Sequence, residues 1–550
     1  RDEIALVTDY NINDVLGTDA LVKNQQKELD LRAKLSEMYA IDLRNMSRSS
    51  IGKNLMTKFY SEWSGMPSYE FVDLRTERSA VPIGKVVKDS IQFKTPFYRK
   101  ILESIQRYSI YIGLGSPKQS ELKRESITNG IVVTTWRKSF QSLEFLSHDK
   151  GYTMAKGGLH SKDDPRVIWA EAGEILADPD VTSMYPSFIV EYGVAPHHLS
   201  KEVFIGIVKW LRETRVEAKH TGRKLEADAL KIVINRIYGA LNDAMDYLYD
   251  PECTYTVTIN LQLLLCGLIE AFELNNFDVL SANTDGLLVR LPLSRQGVFK
   301  HICNEWSAYS KLDLETEKFE KYCRSAVNDY IAVGYGFYDA LQEYNRCGVW
   351  IDSKGNTYTT RQAIEDKFIK FKGYFLQDPE YNKGFVYPVV KKALKEYFLY
   401  GVDITEFIRN YINTSRTAIY DYCFSQKVAG KYTTIYKTVR DGKPVYIKCQ
   451  KHNRFYICKS GGGAITKAIV PDSDNIAYGD DISGIVVEEE KSLVAGQRVA
   501  LFNDYEYKED YNLNYGFYIN EAYKILYGNG KTGKGERRGI NNNSNNLFDW

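Results

Sequence analysis

The stretch from Asp180 to Ser187, Asp-Val-Thr-Ser-Met-Tyr-Pro-Ser, leaves the backbone little choice. The apolar run Ile175-Leu176-Ala177 leads into it, which reads as a strand that ends at a carboxylate and turns directly into a helix. Ser183 is placed to cap that helix, and Pro186 fits its first turn, where no amide donor is required. Asp180 then stands on rigid backbone at the mouth of a sheet. A plain junction with a solvated Asp would look the same, so the rest of the chain has to decide.

Two later segments add chemistry. Ser200 to Lys219 has helical periodicity, with Phe204, Val208 and Leu211 on one stripe and Arg212, Arg215 and Lys219 on another. Thr221-Gly222 breaks it, and a second helix from Lys224 to Tyr238 buries Leu230, Val233, Ile234, Ile237 and Leu241. Lys231, Asn235 and Tyr238 form its polar stripe. Such a hairpin, with four cations toward one side, suits a polyphosphate; a solvated hairpin is the plain alternative. Phe277 to Ala282 and Leu287 to Leu291 are apolar runs joined by Asn283-Thr284-Asp285-Gly286, where Asp-Gly predicts a tight primed turn. A carboxylate at a strand end, a cationic hairpin and a second carboxylate on a hairpin tip follow one another within about a hundred residues. Joining nucleotides requires in-line attack on phosphorus. Two Mg²⁺ ions about 3.5–4 Å apart, held by carboxylates from different strands, can activate the attacking hydroxyl and neutralise the leaving charge.

At these residues the chain resembles a family B DNA polymerase, most closely the bacteriophage type. Asp180 to Ser187 matches the first palm motif with Met184 in a Leu place. Lys231, Asn235, Tyr238 and Gly239 match the fingers motif, with Arg236 where Ser is usual. Asn283 to Gly286 stands for Asp-Thr-Asp-Ser. The resemblance implies Asp180 and Asp285 as the pair that binds two Mg²⁺, with Mn²⁺ able to substitute, helped by the Val181 carbonyl. It implies Tyr185 beneath the deoxyribose, amides of Ser183 and Met184 on the triphosphate, and Arg215, Lys219 and Lys231 on its oxygens. Lys231 would also protonate the departing pyrophosphate, and Asn235 and Tyr238 would flank the nascent base pair. Primer-template DNA and dNTPs are the partners implied.

The departures are specific. Asn283 removes one charge near the metals, although Asp285 is the direct ligand in the family. The primer-grip Lys-x-Tyr is represented by Asn328-Asp329-Tyr330, without its cation, and the Tyr-x-Gly-Gly element by Ala155-Lys156-Gly157-Gly158, without its tyrosine. The glycines beside Lys156 would still let backbone approach a phosphate. Tyr10 and Asp14 fit the family's third proofreading-exonuclease motif, but no Asp-x-Glu partner precedes them, so the chain alone is expected not to proofread. Lys231 follows Asp180 by 51 residues and Asp285 follows Lys231 by 54, too close for a large insertion. Extension of an ordinary nucleic-acid primer is expected, without intrinsic strand displacement.

Composition sets the outer bounds. Lys+Arg 72 against Asp+Glu 71 gives a net charge of +1, so a nucleic-acid site has to be a local patch. Residues 421–470 supply one: ten Lys/Arg against two Asp, interleaved with aromatics, with Lys448, Lys451 and Arg454 as expected duplex contacts. Cys449, His452 and Cys458 lack a fourth zinc ligand. Eight cysteines without a Cys-x-x-Cys pair suit a reducing compartment, and the cytoplasm, a host's if the chain is phage-encoded, is the expected location. No apolar run approaches a membrane span, and no membrane partner is expected. The chain opens on Arg1 in a helical pattern, so a segment is expected upstream.

The fold class expected is α+β: a right-hand polymerase with a palm of mixed or antiparallel sheet plus helices, helical-hairpin fingers and a thumb. Its parts are an exonuclease remnant (1–45), a connecting region packed on the palm (46–150), palm (151–199), fingers (200–243), palm (244–370), thumb (371–527) and a flexible tail (528–550). Leu547, Phe548 and Trp550 at the end of that tail resemble a sliding-clamp peptide. The alternative to a working enzyme is a weakened polymerase fold that binds primer-template DNA without extending it.

Overall fold

The structure is a computed structural model describing residues 2–128, 130–373, 387–428 and 430–527. The expected tail and its Leu547, Phe548 and Trp550 lie outside the described residues. The chain divides into two compact units, Arg1–Lys162 with Ala177–Glu317, and Asp163–Leu176 with Lys318–Trp550. Both mix helix and sheet, as the α+β class requires. The division at 317/318 falls inside the 244–370 segment.

The first unit opens with helices α1 (Asp2–Asn24), α2 (Gln26–Tyr39) and α3 (Arg48–Ser64). The helical pattern on which the chain opens is interrupted at Gln25, and left-handed Ala40 (φ 52°) stops α2. Ser47 caps α3 by accepting from the Ser50 amide. Strand Ser139–Ser147 pairs antiparallel with β1 (Lys150–Ala155), and β1 pairs with the short β2 (Leu159–Ser161). Strand β3 (Glu174–Val181) then runs into α4 (Met184–Tyr192). The cationic pair follows as α5 (Lys201–His220) and α6 (Lys224–Leu241), joined through Gly222 at φ +72°. On α6 the side read as apolar is buried: Leu230, Val233, Ile234, Ile237 and Leu241 are at most 4% exposed.

Helix α7 (Pro251–Leu274) is the centre of this unit's core. By length and composition it could cross a membrane, contrary to the sequence expectation, yet 78% of its apolar stretch is buried within the protein. The interruptions at Gln262 and Glu270 are satisfied inside: Gln262 Nε2 donates to the Ala155 carbonyl, and Glu270 accepts from the Lys94 and Thr95 amides. The hairpin β4 (Asp278–Asn283) and β5 (Gly286–Pro292) comes next, with β5 beside β3.

In the second unit, β6 (Leu314–Ala326) pairs with strand Arg166–Trp169 and with β7 (Asp329–Gly334), and β7 pairs with β8 (Ile369–Lys372). Beyond the undescribed 374–386, helix Pro388–Tyr400 and helix Tyr515–Tyr527 enclose a core of Val389, Val390, Leu394, Phe455, Ile457 and Tyr518. Two small sheets complete it. One holds strands Cys423–Lys427, His452–Cys458 and Arg498–Leu501; the other Thr433–Arg440, Lys443–Cys449, Ala464–Ile469 and Glu488–Ser492.

Candidate functional site

Strand β3 delivers Asp180, half-buried, one residue before its end. The β4–β5 turn delivers Asp285, also half-buried. The two meet: the Val181 amide donates to the Asp285 carbonyl at 2.8 Å. A Cβ placed on Gly286 would lie 3.0 Å from Asp180 Oδ1, so only glycine lets β5 close onto that carboxylate unshifted. The expected primed turn does not form. Asn283 pairs with Gly286, leaving Thr284 and Asp285 as the turn residues, and neither has positive φ. The tip is held by its neighbours instead, and Gly286 serves close approach rather than a left-handed bend.

Ser183 also departs from its expected part. It stands at the N-cap position of α4, but its backbone is left-handed (φ 49°, ψ 49°) and its side chain accepts from no helix amide. Capping needs an extended backbone at that residue, which Ser183 lacks. Its hydroxyl accepts instead from Arg215 Nη1 at 3.0 Å, tying α4 to α5. The first turn of α4, carrying Met184 and Tyr185, is therefore left without a side-chain cap, and its amides suit an anion. Met184 itself is 5% exposed, so only its backbone is on offer.

Tyr185 stacks face to face on Tyr238 of α6, with centroids 3.9 Å apart and planes 6° from parallel. Rings expected under the sugar and beside the base thus contact each other directly. Burial pushes the Tyr185 hydroxyl pKa up, and the Asp285 carboxylate adds to the effect, which places that acid near the ring. Arg215 is half-buried; burial pulls its pKa down, while Asp228 and Glu315 favour its charge. Its Nε is buried and has no hydrogen-bond partner among the described residues. Lys219, Lys231 and Asn235 are exposed. Arg212 leaves the expected row of four cations, because Glu191 of α4 pairs with it at 3.3 Å. Arg236, the unusual residue in the fingers motif, turns inward to pair with buried Asp246.

The Lys156-Gly157-Gly158 turn joins β1 to β2, its Gly158 carbonyl accepting from the Ala155 amide at 3.1 Å. A Cβ on Gly158 would come within 2.9 Å of Thr284 Oγ1, so this glycine packs on the acid-bearing turn; a Cβ on Gly157 would meet nothing within 4 Å. Burial lowers the pKa of half-buried Lys156, which has no ion-pair partner among the described residues. His160 Nε2 lies 3.1 Å from Thr284 Oγ1, a contact that no motif flagged.

Three of the expected DNA contacts are wholly or partly buried. Tyr330 is 5% exposed and packs on Tyr322, on a strand paired on both sides whose four central residues are all buried. The cation missing beside it in sequence arrives from β8, whose Lys372 pairs with Tyr330 in register and lies 5.7 Å from its ring. Lys448 is also 5% exposed, its ammonium donating to the Ser473 and Ile476 carbonyls. Arg454 is half-buried over the Tyr420 ring, whereas Lys451 is exposed. Asp14 is exposed on α1, whose backbone also carries Tyr10.

Divalent cations fit the Asp180–Asp285 locus on donor chemistry: two carboxylates and a neighbouring carbonyl are hard oxygen donors. Elsewhere among the described residues, His197, Asp250 and Cys253 bring ligand-type atoms within 4.8 Å of one another. Arg78 already supplies the positive charge there, 3.6 Å from Asp250 and 2.9 Å from Glu252, and Asp250 caps α7. That group reads as a helix anchor.

Two acid-bearing turns in contact, beside uncapped helix amides and a partly buried arginine, define a site suited to metal ions and phosphate. A stretch of 118 residues is 28% identical to DNA polymerase II of Escherichia coli, covering 22% of this chain and 15% of that protein. A family B DNA polymerase from the hyperthermophilic archaeon Pyrobaculum calidifontis is similar in structure at a TM-score of 0.42 and 12% identity, over 96% of this chain and 57% of that one. No protein-family model matches the chain.

Proposed function

We propose that this chain is the polymerase portion of a family B DNA-dependent DNA polymerase of bacteriophage type, extending a primer 3′ end with dNTPs on a DNA template. The observation that carries the reading is the meeting of the Asp180 and Asp285 turns, close in sequence to Tyr185 and the Ser183–Arg215 link. The similarity to a DNA polymerase agrees with it. Asp180 and Asp285, with the Val181 carbonyl, would hold two Mg²⁺ ions. Bound there, the ions supply Lewis-acid activation of the primer hydroxyl and charge neutralisation on the leaving group.

The chain's own residues do the rest. The Ser183 and Met184 amides at the open start of α4 receive phosphate oxygens. Arg215 fixes their position through Ser183 and offers its remaining donors, while Lys219 and Lys231 approach from solvent. Lys231 gives a proton to the departing pyrophosphate. Tyr185 and Tyr238 must part, or slide, for a nucleotide to enter between them. Residues 200–243 act as fingers, 371–527 as thumb, and the tail reaches a sliding clamp, in the cytoplasm.

Primer extension with Mg²⁺, wild type against Asp285→Ala, tests the reading. Wild type extends, and the variant binds primer-template DNA but loses extension by a factor of about 10³ or more. Binding by both without extension by either would favour the weakened-polymerase alternative that Asn283 motivates.

A further inference from the structure

Three residues of one short stretch, Gly158, His160 and Ser161, touch the end of β4 and the turn that follows. Ser161 Oγ accepts from the Ala282 amide at 2.9 Å and lies 3.2 Å from the Ser281 hydroxyl. His160 Nε2 is 3.1 Å from Thr284 Oγ1, and Gly158 fits beneath the same threonine. The Thr284 amide in turn donates to Asn283 Oδ1 at 3.0 Å. On its far side the turn is held by a backbone bond from the Val181 amide to the Asp285 carbonyl. Asp285 therefore sits between a fixed strand end on β3 and a side-chain latch on β2.

We propose that His160 is a positioning residue for Asp285: its imidazole, bonded to Thr284, sets the orientation of the acid-bearing turn and thereby the affinity of the Asp180–Asp285 pair for a divalent cation. The inference rests on the polymerase reading, which supplies the role of that pair. A two-residue hairpin turn with no residue in the left-handed region matches the twist of its strands less well than a primed turn, so contacts from outside the hairpin help to hold it. Asn283 strengthens the need. With an amide where a second acid is usual, the locus has less charge to gather a cation, and placement of Asp285 carries more of the affinity.

The test measures Mn²⁺ binding to the full chain by calorimetry, without DNA or nucleotide, alongside thermal melting and steady-state extension. His160→Ala and Thr284→Val are each expected to weaken Mn²⁺ binding five- to twentyfold. The double variant should be no worse than either single one, because both remove the same bond. His160→Gln, which keeps a donor near the Nε2 position, should restore binding to within about threefold. The Mg²⁺ concentration for half-maximal extension should rise in parallel, with little change in KM for dNTP. Mn²⁺ affinity of His160→Ala within twofold of wild type, or multiplicative effects in the double variant, would overturn the proposal. Identical Mn²⁺ uptake by wild type and Asp285→Ala would instead overturn the metal site, and this role for His160 with it.

Discussion

At the scale of single residues, the site is built from side chains whose partners differ from those their sequence positions suggest. Ser183 forgoes capping to receive Arg215, and Arg212 leaves the phosphate-facing row for Glu191. Lys231 remains exposed on α6, with Asn235 on the same stripe. A lysine that donates a proton to a leaving group contributes to the rate more than to binding. Lys231→Leu is accordingly expected to lower the maximal extension rate by about 10²-fold while KM for dNTP changes less than about threefold. Rapid-quench kinetics separate the two, and a pure KM effect would reduce Lys231 to an electrostatic contact. The approach of the Asp180 and Asp285 turns was legible from sequence because motif spacing marks both acids. His160 was not, since nothing in sequence says that residue 160 lies against residue 284.

At the scale of elements, buried polar anchors set where helices start and how closely they pack. Asp250 accepts from the Glu252 amide at the start of α7 and from the His197 amide and ring, at 3.1 and 2.6 Å. Burial opposes ionisation of this carboxyl, but the His197 hydrogen bonds and Arg78 outweigh it and hold its pKa below the usual range. A depressed carboxylate pKa contributes stability that is present above the unfolded value, near 3.9, and is lost as pH falls through the folded value. Asp250→Asn should thus cost about 2–4 kcal/mol at pH 7. Urea melts at falling pH should show wild type losing this advantage below about pH 4. Packing of α3 on α6 depends on Gly52, where a Cβ would come 2.6 Å from Arg236 Cβ, with Arg236 held in place by Asp246. Gly52→Ala is expected to destabilise by about 1–3 kcal/mol, measurable as a lower Tm. The helices themselves were legible, with α5 and α6 ending within three residues of their read boundaries, because hydrophobic period is a local signal. Arg236 looked like a defect in a motif because its partner, Asp246, lies beyond that motif.

At the scale of the whole molecule, the mixed helix-and-sheet class was readable, but the charge of one window was misjudged because a strand from outside it pairs with it. The window 421–470 carries ten Lys/Arg against two Asp by sequence, yet strand Glu488–Ser492 pairs with Ala464–Ile469 and brings acids back to it. Glu489 pairs with Lys431 at 2.9 Å and Glu490 with Lys437 at 2.7 Å. Lys448, counted as a DNA contact, directs its ammonium to the Ser473 and Ile476 carbonyls. The cations of this window that stay exposed include Arg440 and Lys443 at a hairpin tip, and Lys451. If this sheet grips a duplex, only exposed cations release counterions, and each phosphate contact adds about 0.9 to the slope of log K against log salt. Lys443→Ala and Lys451→Ala should each flatten that slope by about 0.9, equally for all sequences, and leave Tm unchanged. Lys448→Ala should do the opposite: it leaves the slope alone and costs about 1–3 kcal/mol of stability, because two part-buried carbonyls lose their donor. Fluorescence anisotropy of primer-template binding between 50 and 200 mM salt, roughly the range over which phosphate contacts dominate affinity, reads both effects. A flattened slope for Lys448→Ala with none for Lys443→Ala or Lys451→Ala would move the duplex to another face of this unit.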